Sequence, residues 1–410
     1  MKTFIVLQNV MTFRVNWANL YDPEAHRLVL IARRDVLAAL AAGQERYFDQ
    51  VFALDDFSLE TVLAKVLALI AANDGSEVRL ITNDEYALGL AATLRERLGL
   101  AGDTVERIRP FIDKVAMKAK LSQGTLRLPK YVAFDPRLYR DDPDYERRIA
   151  AHLGFPIFAK PVNLSGSQAT GKLENMQGLA SWCAENRDRP DLELDEFVTG
   201  TLYHCDSLLR NGEVLSTLVS RCVYPCFDFL AGKSTGSMVL PKDHPDHARL
   251  AAFTREALTQ LAPLPNCVAH LEVFGNRTGE LVFLEVAARS PGGMVPQTYE
   301  KYTGVNIEEN HFRLQMSLTP KAMVKAGPYA AWLWYPNSEG VVTEFRRPDI
   351  RSACEWKWNV KVGDRLAQPA SLRDYAAQVL LWNDDYQELE RDFASLSEAR
   401  PYFTAPLAEV

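Results

Sequence analysis

The stretch that decides the fold reads CVAHLEVFGNRTGELVFLEVAAR and spans residues 267–289. It contains two apolar runs, Val268–Phe274 and Leu281–Ala287, on either side of the turn sequence Asn276–Gly279. Two strand-like runs joined by a short glycine-containing turn are typical of an antiparallel β-hairpin. Both runs also carry a glutamate, so the hairpin brings carboxylates to a largely apolar sheet.

The register of this hairpin decides whether its polar side chains meet. We expect the turn to place Glu272 opposite Phe283. The same register puts His270 opposite Glu285, and all three polar side chains then share one face because side chains alternate across a strand. A slip of two residues would keep them together, whereas a slip of one would separate them. Buried carboxylates are costly, and their oxygen atoms suit Mg²⁺. The alternatives to a metal site are that this face of the hairpin is exposed to solvent or that Arg289 neutralises one carboxylate.

A lysine and a flexible loop form the second informative segment, GFPIFAKPVNLSGSQATG at residues 154–171. Lys160 lies at the end of an apolar strand, where a cation needs an anionic partner. The loop Ser165–Gly171 is rich in glycine and serine, and its free backbone N–H groups suit a phosphate. The alternative is a lysine that reaches solvent beside an ordinary loop.

A third segment, LELDEFVTG at residues 192–200, alternates acidic and apolar residues and ends in glycine. This alternation predicts a half-buried strand. At the edge of a sheet, such a strand can offer backbone groups to an adenine ring. A helix predicted near Lys114–Leu121 supplies another lysine, in the pair Asp113-Lys114.

The first 110 residues alternate short apolar strands with helices, which predicts a parallel, Rossmann-like sheet. The predicted strands are Lys2–Leu7, Arg27–Ile31, Gln50–Leu54 and Val78–Thr82, and the predicted helices are Leu59–Ile70 and Tyr86–Leu98. A dinucleotide-binding domain would carry a glycine fingerprint after its first strand. Here that strand runs into Gln8–Thr12, which contains no glycine. We therefore expect a scaffold or a substrate wall.

The rest of the chain divides into a central and a C-terminal part. Residues 111–318 are predicted to form a central region rich in hairpins, and residues 319–410 a smaller α+β unit. The C-terminal unit is expected to contain helices around Leu372–Leu381 and Asp385–Leu396. Its aromatic run at 332–335 is expected to belong to the core.

Composition narrows the class of protein. The chain has 410 residues and a formal net charge of -7, without the basic stripe of a nucleic-acid-binding surface. Its apolar runs are shorter than the ~18–20 residues of a membrane span, and its N-terminus lacks the layout of a signal peptide. The six cysteines are scattered and form no CxxC pair, which favours reduced thiols in the cytoplasm.

The order of these motifs resembles the ATP-grasp superfamily. A lysine in DK precedes FAKP with its Gly/Ser loop, then DEFVTG, then the two glutamates of HLE and LEVAAR. Within the superfamily, H-x-E with E-x-A-A-R is most similar to bacterial L-amino acid ligases of the bacilysin-synthesising type, which make dipeptides. The resemblance implies an ATP-grasp fold of mixed α/β and α+β class. It would have an N-terminal Rossmann-like domain at 1–110, a two-lobed ATP-binding region at 111–318 and a C-terminal α+β unit at 319–410.

The resemblance also implies roles for individual residues. Those expected to bind ATP are Lys114, Lys160, Ser165, Gly166, Ser167, Glu196, Phe197, Val198 and Asp206, the last as a substitute for a ribose-binding glutamate. Those expected to bind Mg²⁺ are Glu272 and Glu285, and those expected to meet substrate are His270, Arg289, Gly292 and Gly293. Lys160 and Arg289 would be catalytic, with Arg289 stabilising the acyl phosphate and the later oxyanion. His270 would either orient Glu285 or touch substrate. Most members carry Asn where this chain has Ala287, which removes a possible metal ligand.

The implied reaction joins a carboxylate to an amine through an acyl phosphate and releases ADP and phosphate. The expected substrates are two amino acids, or an amino acid and a small acid or amine. Two Mg²⁺ ions are expected, with Mn²⁺ as a substitute, in a cytoplasmic homodimer without nucleic-acid or membrane partners. Two alternatives stay open: an ATP-grasp ligase or carboxylase that uses another carboxylate, and a non-catalytic ATP-binding module.

Overall fold

The structure is a computed structural model that describes residues 1–73, 75–164, 166 and 168–406. Its strands form an N-terminal sheet, a small central sheet, a large sheet and a three-stranded C-terminal sheet. Every helix in the described part of the chain is too short or too polar to cross a bilayer.

The N-terminal sheet is parallel, as the alternation of strands and helices predicts. Its strands are β1 (Lys2–Gln8), β2 (His26–Arg33), β3 (Gln50–Leu54) and β4 (Glu77–Ile81), in the order β3-β2-β1-β4. The helices of this region are α1 (Arg34–Ala38), α2 (Leu59–Ala71) and α3 (Glu85–Leu98). In α2, Val62 and Val66 lie one turn apart and are fully buried against the sheet, because a helix presents such positions on one face.

The small central sheet carries the lysine strand and the acidic strand. Its strands are β5 (Tyr131–Ala133), β6 (Ile157–Pro161), β7 (Gly171–Leu173) and β8 (Leu192–Glu196), in the order β5-β8-β6-β7. The helices before and around it are α4 (Val105–Ile108), α5 (Lys114–Leu121), α6 (Pro136–Asp141), α7 (Tyr145–Leu153) and α8 (Met176–Glu185). Asp113 caps α5 by accepting from the N–H groups of its first turn, so the helix begins at Lys114.

The large sheet has eight strands and contains the deciding hairpin. Its strands run in the order β13-β12-β9-β10-β11-β14-β18-β16, and three further strands form the C-terminal sheet. The strands are β9 (Thr201–Arg210), β10 (Glu213–Cys222), β11 (Thr235–Val239), β12 (Cys267–Gly275), β13 (Leu281–Ala287), β14 (Tyr329–Pro336), β15 (Gly340–Phe345), β16 (Ala353–Trp358), β17 (Arg365–Leu366), β18 (Tyr375–Asn383) and β19 (Tyr402–Ala405). The helices are α9 (Pro245–Gln260), α10 (Val295–Thr303), α11 (Ile307–Gln315) and α12 (Tyr386–Glu398).

The predicted helix at Leu372–Leu381 was wrong, because this segment forms strand β18. Its neighbouring residues point to different cores: Leu380 packs with α10, whereas Val379 and Leu381 pack with α12. A strand buried on both faces is apolar at consecutive positions, so it lacks the alternation that reveals a half-buried strand. The helix predicted around Asp385–Leu396 is confirmed as α12, with Asp385 as its cap.

The large sheet continues across the boundary predicted at residues 318 and 319. Strand β14 pairs with β11 of the central region, and β18 and β16 extend the same sheet. The C-terminal unit therefore shares a sheet with the central region, and the proposed domain limits stay a prediction.

A buried histidine joins the large sheet to the N-terminal sheet. The Nδ1 atom of His311 accepts from the Val268 N–H at 3.2 Å, so its Nε2–H is left to donate to the Thr82 carbonyl at 2.9 Å. Burial, opposed by the Thr82 hydrogen bond, lowers the pKa of His311 to about 4. Protonation would turn Nδ1 into a donor that faces another donor.

Acidification is therefore expected to destabilise the fold through His311. The unfolded chain binds a proton near pH 6.5 and the folded chain only near pH 4, so the free energy of unfolding falls as pH drops between these values. The expected loss is about 2 kcal/mol between pH 6.5 and pH 5. His311→Gln should remove this part of the pH dependence of thermal unfolding, and His152→Gln, at an exposed position, should keep it. An unchanged pH slope in His311→Gln would contradict the assignment.

Candidate active site

The hairpin of β12 and β13 brings the two predicted metal ligands directly opposite each other. Glu272 pairs with Glu285, and His270 pairs with Ala287. The predicted pairing of Glu272 with Phe283 was therefore wrong by two residues. The shared face of the two glutamates is confirmed, because residues that pair directly project to the same side of a sheet.

Two separate one-residue shifts produce this register. The turn pairs Gly275 with Leu281, whereas the predicted register would pair Gly275 with Glu280. In addition, a bulge lies between Glu272 and Val273. Either shift alone would have put the two glutamates on opposite faces. Together they restore the shared face, so the bulge is the feature that assembles the acidic pair.

A cavity of about 340 Å³ lies between the small central sheet and the large sheet. Predicted residues from all three motif segments and from helix α5 line it: Lys114, Lys160, Gly166, Glu196, Phe197, Val198, Glu272 and Glu285. The predicted residues Ser165 and Ser167 lie outside the described residues. The cavity thus combines lysines, carboxylates and an apolar slot. A nucleoside triphosphate needs these features for its phosphates, its metal ions and its base.

The acidic pair faces the two lysines of the cavity. The Lys114 Nζ atom lies 3.3 Å from Glu285 Oε2 and donates to the Leu164 carbonyl at 2.8 Å. Burial raises the pKa of Glu285, but Lys114 and Lys160 outweigh it and lower the value to about 2. Glu285 therefore stays ionised at neutral pH, as a metal ligand must be.

Two acidic residues that the sequence suggested only as part of a half-buried strand face Lys160. Glu193 lies directly opposite Lys160 in the β6–β8 pair, and the Lys160 Nζ atom lies 2.9 Å from Asp195 Oδ2. Burial lowers the pKa of Lys160, but the carboxylates Asp195 and Glu193 outweigh it and raise the pKa above its ordinary value. The same carboxylates contact Lys118, a residue that the sequence analysis missed. Its signal was the i, i+4 spacing from Lys114, which places both lysines on one face of α5.

The predicted adenine segment lines an aromatic part of the cavity. Phe158 and Phe227 form a wall with ring centroids 5.2 Å apart and an interplanar angle of 90°. The backbone N–H groups of Glu196 and Phe197 already donate to other carbonyls, and the Glu196 carboxylate pairs with Arg127. A base in this slot would therefore meet the carbonyl side of these residues or the backbone of Val198.

Asp206 lies in a buried hydrogen-bonded cluster and is not among the described residues that line the cavity. Its carboxylate accepts from Tyr299 at 2.6 Å and from the Nδ1 atoms of His204 and His270, both at 2.7 Å. The predicted contact of Asp206 with a ribose is thus not supported, because the carboxylate is enclosed by these three side chains. The pKa of Asp206 stays below its ordinary value, since the two histidines outweigh the effect of burial.

The same cluster links His204 to the large sheet. The Trp332 Nε1–H donates to the Ser237 hydroxyl, which lies 2.8 Å from His204 Nε2. The other ring nitrogen of His204, Nδ1, donates to Asp206. On the other side of the cluster, His270 Nε2 lies 3.5 Å from Glu272 Oε1. His270 thus contacts Glu272 and not Glu285, so the predicted role of orienting Glu285 was wrong, and contact of His270 with substrate stays a prediction.

Arg289 lies just beyond β13, where the large sheet meets the N-terminal sheet. Its Nε atom lies 2.6 Å from Glu85 Oε2 at the start of α3, and its Nη1 atom donates to the Ser290 carbonyl at 3.0 Å. Burial lowers the pKa of Arg289, but Glu85 and Glu285 outweigh it and keep the guanidinium charged. Arg289 is close enough to the acidic pair to interact with it, although it is not among the described residues that line the cavity.

The predicted glycine pair follows Arg289 and packs on a tryptophan. Gly293 has a φ of +60°, and a Cβ atom there would lie 2.4 Å from the Trp332 ring. Gly292 has no such neighbour within 4 Å. Of the two positions, only 293 therefore requires a glycine. Trp332, which was predicted to belong to the core, is buried and packs against this loop.

No protein-family model matches the chain, but individual proteins of known function are similar to it. The L-arginine-specific L-amino acid ligase of Bacillus subtilis is 25% identical over 307 residues, which is 72% of this chain and 72% of that protein. The D-alanine–D-alanine ligase of Pseudarthrobacter chlorophenolicus is 26% identical over 205 residues, 46% of this chain and 53% of that ligase. The chain thus spans about half the length of that second relative.

Solved structures share the whole architecture. The L-amino acid ligase from Bacillus licheniformis aligns with a TM-score of 0.73 over 99% of both chains, at 17% identity. N5-carboxyaminoimidazole ribonucleotide synthetase from Thermotoga maritima aligns with a TM-score of 0.64, covering 97% of this chain and 98% of that one, at 14% identity. The fold is therefore the ATP-grasp fold, and with the sequence relatives it identifies the chain as an ATP-grasp ligase that resembles the bacterial L-amino acid ligases.

Proposed function

We propose that this ligase joins the carboxylate of one L-amino acid to the amino group of another, using ATP and Mg²⁺. The observation that carries the proposal is the pairing of Glu272 with Glu285 on a hairpin that lines a cavity also lined by Lys114 and Lys160. This arrangement suits phosphoryl transfer, which needs positioning and charge neutralisation more than covalent catalysis. The similarity to an L-arginine-specific L-amino acid ligase supports amino acids as substrates.

The acidic pair fits Mg²⁺ in chemistry and in placement. Glu272 and Glu285 project from paired positions into one cavity, and their side chains keep 17% and 26% of their exposure. Oxygen ligands of this kind suit Mg²⁺ or Mn²⁺, and two ions are expected for an ATP-grasp ligase. When bound, Mg²⁺ neutralises charge on the phosphates and polarises them for transfer. Ala287 offers no further ligand, and its partner position holds His270.

The chain's own residues then supply positioning and charge. Lys114 and Lys160 would hold the phosphates beside Gly166, and the 196–198 segment would hold the base, since all of these residues line the cavity. A carboxylate oxygen of the first substrate attacks the γ-phosphorus, and the bond from phosphorus to the ADP oxygen breaks. The amine of the second substrate attacks the acyl carbon, phosphate leaves with the bonding electrons, and the amine loses a proton. Arg289 and the backbone near Gly292 and Gly293 stabilise the oxyanion that forms.

The natural setting of the reaction follows from the same resemblance. We expect the enzyme to act in the cytoplasm as a homodimer on small molecules, without a nucleic-acid or membrane partner. Asp206 has no nucleotide role in this scheme, because its carboxylate holds His204 and His270.

A screen of phosphate release tests this proposal. Purified protein with ATP and Mg²⁺ is given single amino acids and all pairs, and products are identified by mass spectrometry. Release that needs a particular pair, with the condensed mass, supports dipeptide synthesis and names the substrates. Release with bicarbonate or another acid, and none with amino acids, would contradict it in favour of another ATP-grasp ligase. Binding of ATP without release under any condition would favour a non-catalytic module.

A further inference from the structure

Four charged side chains are buried together beside the proposed nucleotide cavity. The side chains of Lys118 and Glu193 are 0% exposed, and those of Asp195 and Lys160 are 3% and 5% exposed. Lys160 and Asp195 are among the described residues that line the cavity, whereas Lys118 and Glu193 are not. The group therefore has an outer pair that can meet a ligand and an inner pair that cannot.

Each carboxylate of this buried group is shared between both lysines. The Lys118 Nζ atom lies 2.9 Å from Glu193 Oε2 and 2.5 Å from Asp195 Oδ1. The Lys160 Nζ atom lies 3.5 Å from Glu193 Oε1 and 2.9 Å from Asp195 Oδ2. The Lys118 ammonium also lies 4.7 Å from the centre of the Tyr131 ring, where a cation is stabilised by the ring face.

Burial and the neighbouring Asp195 raise the pKa of Glu193, and Lys160 and Lys118 oppose this rise. With both carboxylates ionised, two lysines and two carboxylates leave the group with no net charge. Without Lys118, both carboxylates would face Lys160 alone, and the group would carry a net negative charge beside the phosphates. Charges interact strongly in a buried environment, and an unbalanced buried charge is costly. The single positive charge of Lys160 would then face two negative protein carboxylates, which would weaken its attraction for a phosphate.

We propose that Lys118 is a positioning residue for ATP binding, which balances Glu193 and Asp195 so that Lys160 remains available to the nucleotide phosphates. The inference rests on the proposed function, since it takes the cavity as the ATP site. It assigns the effect to charge and not to packing. A second substitution that removes one negative charge should therefore compensate for the loss of Lys118.

The test compares Lys118→Met with the double variant Lys118→Met/Glu193→Gln. In the single variant, KM for ATP is expected to rise on the order of 10- to 100-fold, with kcat at saturating ATP within about threefold of wild type. In the double variant the group is neutral again, and KM for ATP should return to within about threefold of wild type. Lys120→Met is the matched control, because Lys120 lies on the same helix but donates to the carbonyls of Leu261 and Ala262.

Two results would overturn the inference. One is an ATP KM in Lys118→Met equal to that of wild type, and the other is a double variant that binds ATP no better than the single variant. If Lys118→Met does not fold, the double variant decides: folding with a normal KM supports charge balance, and failure to fold overturns it. Calorimetry with ATP distinguishes failure of this inference from failure of the proposed function. If the wild-type protein binds no ATP, the proposed function is overturned as well.

Discussion

Replacing Glu285 with glutamine is expected to lower kcat/KM for ligation about 1,000-fold or more while the protein stays folded. Glutamine keeps the shape of the side chain but removes the negative charge. In the wild type this carboxylate faces Glu272 across the hairpin and Lys114 across the cavity, and its lowered pKa keeps it ionised at neutral pH. The charge is thus held in place for a cation, and the variant should need a higher Mg²⁺ concentration for half-maximal activity.

The control for this variant lies on the same hairpin. Glu280→Gln changes an exposed carboxylate in the turn, where the side chain contacts Asn276 and does not line the cavity. Its activity and its Mg²⁺ dependence should match those of wild type. Activity of Glu285→Gln within about tenfold of wild type, at unchanged Mg²⁺ dependence, would show that Glu285 is not a metal ligand.

Replacing Arg289 with lysine is expected to lower kcat for ligation about 100- to 1,000-fold, with KM for ATP changed by less than about threefold. Glu85 holds one nitrogen of the guanidinium and the Ser290 carbonyl accepts from another, so the planar group is fixed in orientation. Lysine keeps the charge, but its donors all lie on one nitrogen and cannot reproduce the planar fork that makes these two contacts and also faces an oxyanion. Steady-state rates of ADP and product formation measure the effect.

The matched control for this second variant is Arg249→Lys. Arg249 lies on the surface, where it contacts Asp246 and the Gly279 carbonyl, so its replacement should leave kcat unchanged. A rise in KM for ATP in Arg289→Lys, in proportion to the fall in kcat/KM, would instead place Arg289 at the nucleotide. Normal kcat in this variant would remove Arg289 from the reaction.

Short-range patterns in the sequence predicted much of this protein. The alternation of strands and helices predicted the parallel N-terminal sheet, and the apolar runs around Asn276–Gly279 predicted the hairpin of β12 and β13. The ATP-grasp fold was expected from the resemblance of the ordered motifs to that superfamily, whereas the sheet and the hairpin came from the local pattern. These features depend on residues close in the chain, whose backbone preferences and spacing act before any distant contact forms.

Only the tertiary structure decided which side chains meet. The bulge beside Glu272 brings Glu272 and Glu285 to the same face, whereas the register of the turn alone would place them on opposite faces. Burial of β18 on both faces hid its strand character, and enclosure by His204 and His270 kept Asp206 from the cavity. The buried contacts of Lys118 likewise join residues 75 and 77 positions apart in the chain. Such contacts depend on how separate sheets and helices pack, and one strand's residue pattern carries no information about the partner that will cover it.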